Sequence, residues 1–124
     1  KPADTVVFTA MSKKYFYMRY FVVQFVLEQD AVPINPFTSF DYFLLDAVER
    51  DTVRRANNTL VARADELWVF GDIADGVRAE IMQAWQQHKT VRFFAFRDDK
   101  RIYEVTINDV VYEDGVEFLI HIGE

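Results

Sequence analysis

Four short apolar runs, set apart by stretches of helix length, restrict this chain more than any other feature. They are Thr5-Val6-Val7-Phe8, Ala31 to Ile34, Glu66 to Phe70 and Val91 to Phe96. Uninterrupted apolar runs of this length suit strands covered on both faces. Pro33 lacks the N–H that a central strand needs, so the second run belongs at an edge, and Asn35-Pro36 ends it. Between the first two runs, Thr9 to Lys14 reads as a loop and Tyr15 to Gln29 is rich in Tyr, Phe and Val, which favour strands. Fifteen residues exceed one strand, so the length predicts a very apolar helix that ends at Asp30. Phe40 to Ala64 has a helical pattern, with Leu44, Leu45, Val48 and Leu60 among its apolar positions. Its charges (Asp46, Glu49, Arg50, Asp51, Arg54, Arg55) stand at ion-pair spacing. A third helix is predicted from Gly76 to Gln87, with Asp75 as N-cap and Val77, Ile81, Ala84 and Trp85 on one stripe. Strand and helix in strict alternation imply a parallel sheet with right-handed crossovers, in the order 2-1-3-4.

At 124 residues the chain suits one domain, 1–124, with a core over 5–96. A β extension over 97–124 completes it: Arg101 to Ile107 alternates, and Glu113-Asp114-Gly115 is a turn signal between Val110-Tyr112 and Val116-Ile120. Apolar residues make up 51% of the chain and aromatics 16%, enough for a core and too much for disorder. The net charge of −6 resides wholly in the last 27 residues, and the rest is neutral. Cations are nowhere concentrated along a phosphate track, which argues against a nucleic-acid polymer as partner. The absence of Cys excludes disulfides, thiolate catalysis and Cys-ligated zinc, and fits a cytoplasmic protein. His88 and His121 have no supporting cluster, so no metal is expected, and no cofactor is implied. No signal peptide is visible, and Arg19 and Gln24 interrupt the greasiest run, Tyr15 to Leu27, so no membrane span is expected.

In parallel sheets, ligands bind beyond the carboxyl ends of the strands where the order reverses. That places a site between Thr9–Ser12 and Gly71–Gly76, with Asn35 and Pro36 on the same rim. The most informative stretch runs from Asp65 to Ile81, a buried strand entering a Gly- and Asp-rich loop and then a helix that carries Glu80. The helix macrodipole favours the ionised form of a carboxylate in the first turns, and an ionised, enclosed carboxylate can act as nucleophile or stabilise an oxocarbenium ion. The plainer alternative is a surface Glu that merely suits the dipole.

The apolar Val6-Val7-Phe8, the exit Ile34-Asn35-Pro36, the entry Ala64-Asp65-Glu66 and the run Gly76-Val77-Arg78-Ala79-Glu80-Ile81 followed by Ala84 together resemble the nucleoside 2-deoxyribosyltransferase-like superfamily. The superfamily includes transferases, nucleoside-monophosphate N-glycosidases and uncharacterised relatives. The resemblance spans roughly residues 5 to 95 and implies a Rossmann- or flavodoxin-like three-layer α/β fold. It places Glu80 at the family's Gly-x-x-x-Glu-(Ile/Leu)-x-x-Ala nucleophile, which takes the sugar in a two-step displacement. The resemblance also implies a small nucleoside or nucleotide as partner. The chain departs from the family at three places. Thr9-Ala10-Met11-Ser12 contains no glycine where many members are Gly-rich, Phe8 lacks a phenol, and Asn57-Asn58 stand where transferases often carry an acid.

Candidate binding residues are therefore Phe8, Thr9, Ala10, Met11, Ser12, Asn35, Asn57, Asp72, Asp75 and Gly76, beside a catalytic Glu80. Each has a plainer alternative: loop caps for Asp72 and Asp75, turn chemistry for Asn35, a loop role for Thr9 and Ser12. An N-glycosidase or deoxyribosyltransferase is the leading expectation. A non-catalytic sensor of a nucleotide-derived ligand on the same fold is the alternative, favoured by the glycine-free first loop. A structural or interaction domain is a third. The helix Tyr15 to Gln29 is apolar on nearly every face, more than one sheet contact can bury, which predicts a homodimer or larger assembly.

Overall fold

Residues 4–39 and 47–120 are described by a computed structural model. Val6–Met11 forms β1, the strand on which the rest is assembled, with every residue after Val6 buried. It pairs in parallel with β2 (Val32–Ile34) on one side and β3 (Glu66–Phe70) on the other. Beyond β3 lie β4 (Thr90–Phe96), also parallel, and β5 (Ile102–Val105), antiparallel. The order is β2-β1-β3-β4-β5, so the parallel core has the expected 2-1-3-4 arrangement, Pro33 stands on an edge strand, and an antiparallel strand is added after the core.

The continuous apolar runs arise because successive residues feed two different cores. Phe8, Ala10, Leu67, Val69 and Phe93 face one core; Val7, Met11, Trp68, Phe70 and Phe94 face the other. The first core is closed by α3 (Arg50–Arg63) through Val61 and by α4 (Asp75–Gln86) through Val77, Ile81 and Ala84. The second is closed by α1 (Arg19–Glu28) through Val22 and Val26. There Phe25 meets Phe94 edge-on at 5.2 Å, and Phe70 stacks on Phe94 at 4.9 Å. A single helical turn, α2 (Pro36–Ser39), follows β2.

The structure corrects several boundaries. Thr9, Ala10 and Met11 belong to β1 rather than to a loop, in register with Trp68, Val69 and Phe70. Thr9 is tolerated at zero exposure because its hydroxyl donates to the Ile34 carbonyl at 3.1 Å. The segment Tyr15–Gln29 is not one helix: Lys13–Met18 is wound as a 3₁₀ helix before α1 begins. That tight turn carries Tyr15 under Gly71, where its hydroxyl accepts from the Asp72 N–H at 3.1 Å. Gly71 has φ +83°, and a β-carbon there would collide with the Tyr15 ring.

The helix expected over Phe40–Ala64 is seen as α3, entered from Glu49 in an extended conformation; Leu44, Leu45 and Asp46 lie outside the described residues. Asp75 is the first residue of α4 rather than its cap, and Ala74 precedes it without a side-chain cap. The hairpin expected over Val110–Ile120 is absent among the described residues. Instead a strap after β5 crosses the edge of α4. Ile73 bridges Tyr112 in parallel and exchanges backbone bonds with Val111 and Glu113. Val116 joins the first core, so the turn residues Glu113-Asp114-Gly115 bend the strap rather than join two strands.

Candidate functional site

A cavity of about 600 Å³ opens beyond the carboxyl ends of β1, β2 and β3, beside α3 and α4. This is the crevice a parallel sheet leaves where its order reverses. Met11, Ser12 and Lys13 supply the wall at the end of β1, and Pro36 and Phe37 the wall after β2. From α3 come Arg50, Val53, Arg54 and Asn57, whose spacing places them on one helical face. The opening turns of α4 give Ala74, Asp75, Gly76, Val77 and Glu80, and the strap adds Glu113.

Glu80 lies beside the buried stripe Val77, Ile81 and Ala84, so its side chain rises at the border between core and cavity. Its Oε2 accepts from the Asn57 amide Nδ2 at 2.6 Å, a short bond that joins α3 to α4 across the site. Withdrawal from water pushes the Glu80 carboxyl up to about 7 from its ordinary 4.5, with the Asn57 bond opposing the rise. The macrodipole was expected to keep this carboxylate fully ionised. Desolvation wins instead, because Glu80 lies beyond the first turn of α4, where the dipole has faded.

On the opposite side of the mouth, the Ser12 hydroxyl donates to Glu113 Oε2 at 2.6 Å, and Lys14 Nζ stands 3.7 Å from the same oxygen. Lys14 bonds more closely to Asp72, at 2.6 Å, and this contact holds its ammonium above the usual lysine range. Among the described residues no cluster of His, Cys, Asp and Glu could hold a metal ion.

Met11, Ser12, Asn57, Asp75, Gly76 and Glu80 thus come together at the cavity. Phe8, Thr9, Ala10, Asn35 and Asp72 lie outside its lining. Phe8 and Ala10 are packed in the first core, and Thr9 is bonded to Ile34. Asn35 is buried as the cap of α2, its Oδ1 accepting from the Phe37 N–H at 2.8 Å. Asp72 is committed to Lys14. Glu80 shares the cavity with Met11 and Ser12, and its hydrogen bond goes to Asn57 on α3.

Sequence reasoning missed Lys13, Phe37, Arg50, Val53, Arg54 and Glu113 as cavity residues. The i, i+3, i+4, i+7 spacing of Arg50, Val53, Arg54 and Asn57 was the available signal, masked by reading the charges as a solvated face. Arg54 does make that exposed pair, with Asp51 at 3.2 Å. Glu113 gave none, because only the path of the strap brings it within reach of Ser12.

A family defined as a domain of unknown function, DUF7768, matches residues 9–94. The chain belongs to DUF7768. Comparison with curated proteins found no match. Among solved structures, a 2-desoxiribosyltransferase from Leishmania mexicana is similar over 95% of this chain and 91% of that one, with a TM-score of 0.57 and 14% identity. At that identity the likeness speaks for the fold, which is nucleoside 2-deoxyribosyltransferase-like. Asn57 and Glu80 fall within the DUF7768 span, whereas Glu113 and its strap lie beyond it.

Proposed function

We propose that this DUF7768 domain cleaves the N-glycosidic bond of a nucleoside or nucleotide, with Glu80 as the nucleophile. The observation that carries this reading is the Glu80 carboxyl, withdrawn from water, bonded to Asn57 and bordering the cavity at the strand ends. Asn57 engages Oε2, which leaves Oε1 to attack. A bond forms from that oxygen to the anomeric carbon while the bond from this carbon to the base nitrogen breaks. The electron pair leaves with the base, which takes a proton from solvent. Water then adds to the anomeric carbon, the carbon–Oε1 bond breaks with its electrons returning to Glu80, and the added water gives up its proton. A second base in place of water makes the same step a transfer. Lys13, Arg50 and Arg54 at the mouth offer donors to an anionic group such as a nucleotide phosphate.

Incubation with a panel of nucleosides and nucleotides, with free base measured by chromatography, tests this reading. The wild-type chain is expected to release base from at least one of them. Glu80→Gln keeps the shape and loses the nucleophile, so it should abolish release while leaving binding intact. Release that persists in Glu80→Gln overturns the assignment. A second reading, a sensor that binds such a ligand without cleaving it, is favoured by the glycine-free β1 end, where Met11 and Ser12 are buried at 5% and 6% exposure. Binding without release by the wild type would select it. The exposed aromatics of the segment leading into and through α1, Tyr17, Tyr20 and Phe21, further support a homodimer built on that face.

A further inference from the structure

The strap that follows the DUF7768 span ends its crossing at the cavity, and the side chain it delivers there is Glu113. Its backbone is fixed first: the Glu113 N–H donates to the Ile73 carbonyl at 3.0 Å, and the Ile73 N–H donates to Val111 at 2.8 Å. Its carboxyl is then oriented from one side only. The Ser12 hydroxyl and the Lys14 ammonium both approach Oε2. Among the described residues no protein donor reaches Oε1. Each carboxylate oxygen offers two acceptor positions; on Oε2 the Ser12 hydroxyl takes one, and the Lys14 ammonium stands beside it as an ion pair at 3.7 Å. Oε1 therefore retains two, on a group that borders the cavity and remains 30% exposed. An acceptor-only group with two open positions matches two neighbouring hydroxyl donors better than a phosphate, which it would repel, or a base edge, which mixes donors with acceptors.

We propose that Glu113 is the sugar-reading residue of the site, accepting hydrogen bonds from the vicinal hydroxyls of a ribo-configured ligand through Oε1. The inference rests on the reading of this cavity as a nucleoside or nucleotide site, and it deepens that reading by naming the sugar. Ser12 and Lys14 act as positioning residues, because they hold Oε2 and so aim Oε1. The cations Arg50 and Arg54 lie on α3, a different wall from the strap, so one ligand can present hydroxyls to Glu113 and an anionic group to α3.

Ribose 5-phosphate and 2-deoxyribose 5-phosphate are suitable probes, since neither carries a base and neither requires turnover. Calorimetric titration of the wild-type chain should show ribose 5-phosphate binding about tenfold tighter or more, the worth of a hydrogen bond to a charged acceptor. Glu113→Gln and Glu113→Asp should both reduce that ratio to about one, the first by turning half of the carboxylate into a donor and the second by withdrawing it from reach. Thermal melting confirms that each variant is folded, and the retained Ile73 backbone bonds predict that it is. Equal binding of the two sugars by the wild type, no binding of either, or an unchanged ratio in folded Glu113→Gln overturns the proposal. Loss of base release in Glu80→Gln alongside any of these would leave the glycosidase reading intact, and retention of the ratio without base release would leave only the sugar reading.

Discussion

Among the described residues, Glu80 holds the largest single tension between stability and chemistry. Its carboxyl titrates at about 7 in the fold against an ordinary 4.5, because burial penalises the charged form. The folded state therefore binds this proton more tightly than the unfolded chain. The resulting stability is fully present below about pH 4.5 and is lost as pH rises through about 7. Over that window the loss amounts to roughly 3 kcal/mol. Glu80→Gln keeps an acceptor for the Asn57 amide and removes the charge. Chemical denaturation at about pH 8 should find it more stable than the wild type by roughly 3 kcal/mol, with the difference vanishing near pH 4. A wild type whose stability is flat across this window would show that the carboxyl is solvated.

At the scale of elements, two glycines that look alike in sequence behave differently. Gly71 ends β3 at φ +83° against the Tyr15 ring, whereas a β-carbon on Gly76 would meet nothing within 4 Å. Gly71→Ala should destabilise by about 2 kcal/mol, combining backbone strain with displacement of Tyr15. Gly76→Ala, in the first turn of α4, should stabilise by about 0.5 kcal/mol. Thermal melts of the two variants check both signs. The alternation of apolar runs with helical spacers was legible because a parallel sheet buries both faces of its strands, and Glu66–Phe70 was found to the residue. The end of β1 was not legible, since Thr9 reads as polar until Ile34 is known to accept its hydroxyl. The apolar content of Tyr15–Leu27 likewise hid the 3₁₀ turn, in which Tyr15 makes a tertiary contact with the Gly71–Asp72 corner. The site divides in the same way. Glu80, Gly76 and Asp75 were visible in one local motif, while Glu113 acts from a segment whose position depends on Ile73.

Viewed as a whole molecule, the sheet separates two surfaces. One carries α3, α4 and the strap; the other carries α1 over an aromatic core. On the second surface Tyr17, Tyr20 and Leu27 stand 63%, 65% and 56% exposed. A face of this kind predicts a dimer by light scattering at micromolar concentration, and Tyr20→Lys with Leu27→Lys should shift it to monomer while preserving the fold. A monomeric wild type would contradict the prediction. Neither Tyr20 nor Leu27 is among the residues lining the cavity, so this double variant should leave ligand binding unchanged.

Base release measured as a function of pH, from about pH 5 to about pH 9, tests the central claim most directly. A nucleophile must be ionised, so the rate should rise through an apparent pKa of about 7, the position to which burial has moved Glu80. Asn57→Ala removes the bond that opposes the rise and should move the limb to higher pH, and Glu80→Gln should remove turnover at every pH. A rate that does not vary across this range, or turnover retained by Glu80→Gln, would contradict the assignment of Glu80 as the group that breaks the glycosidic bond.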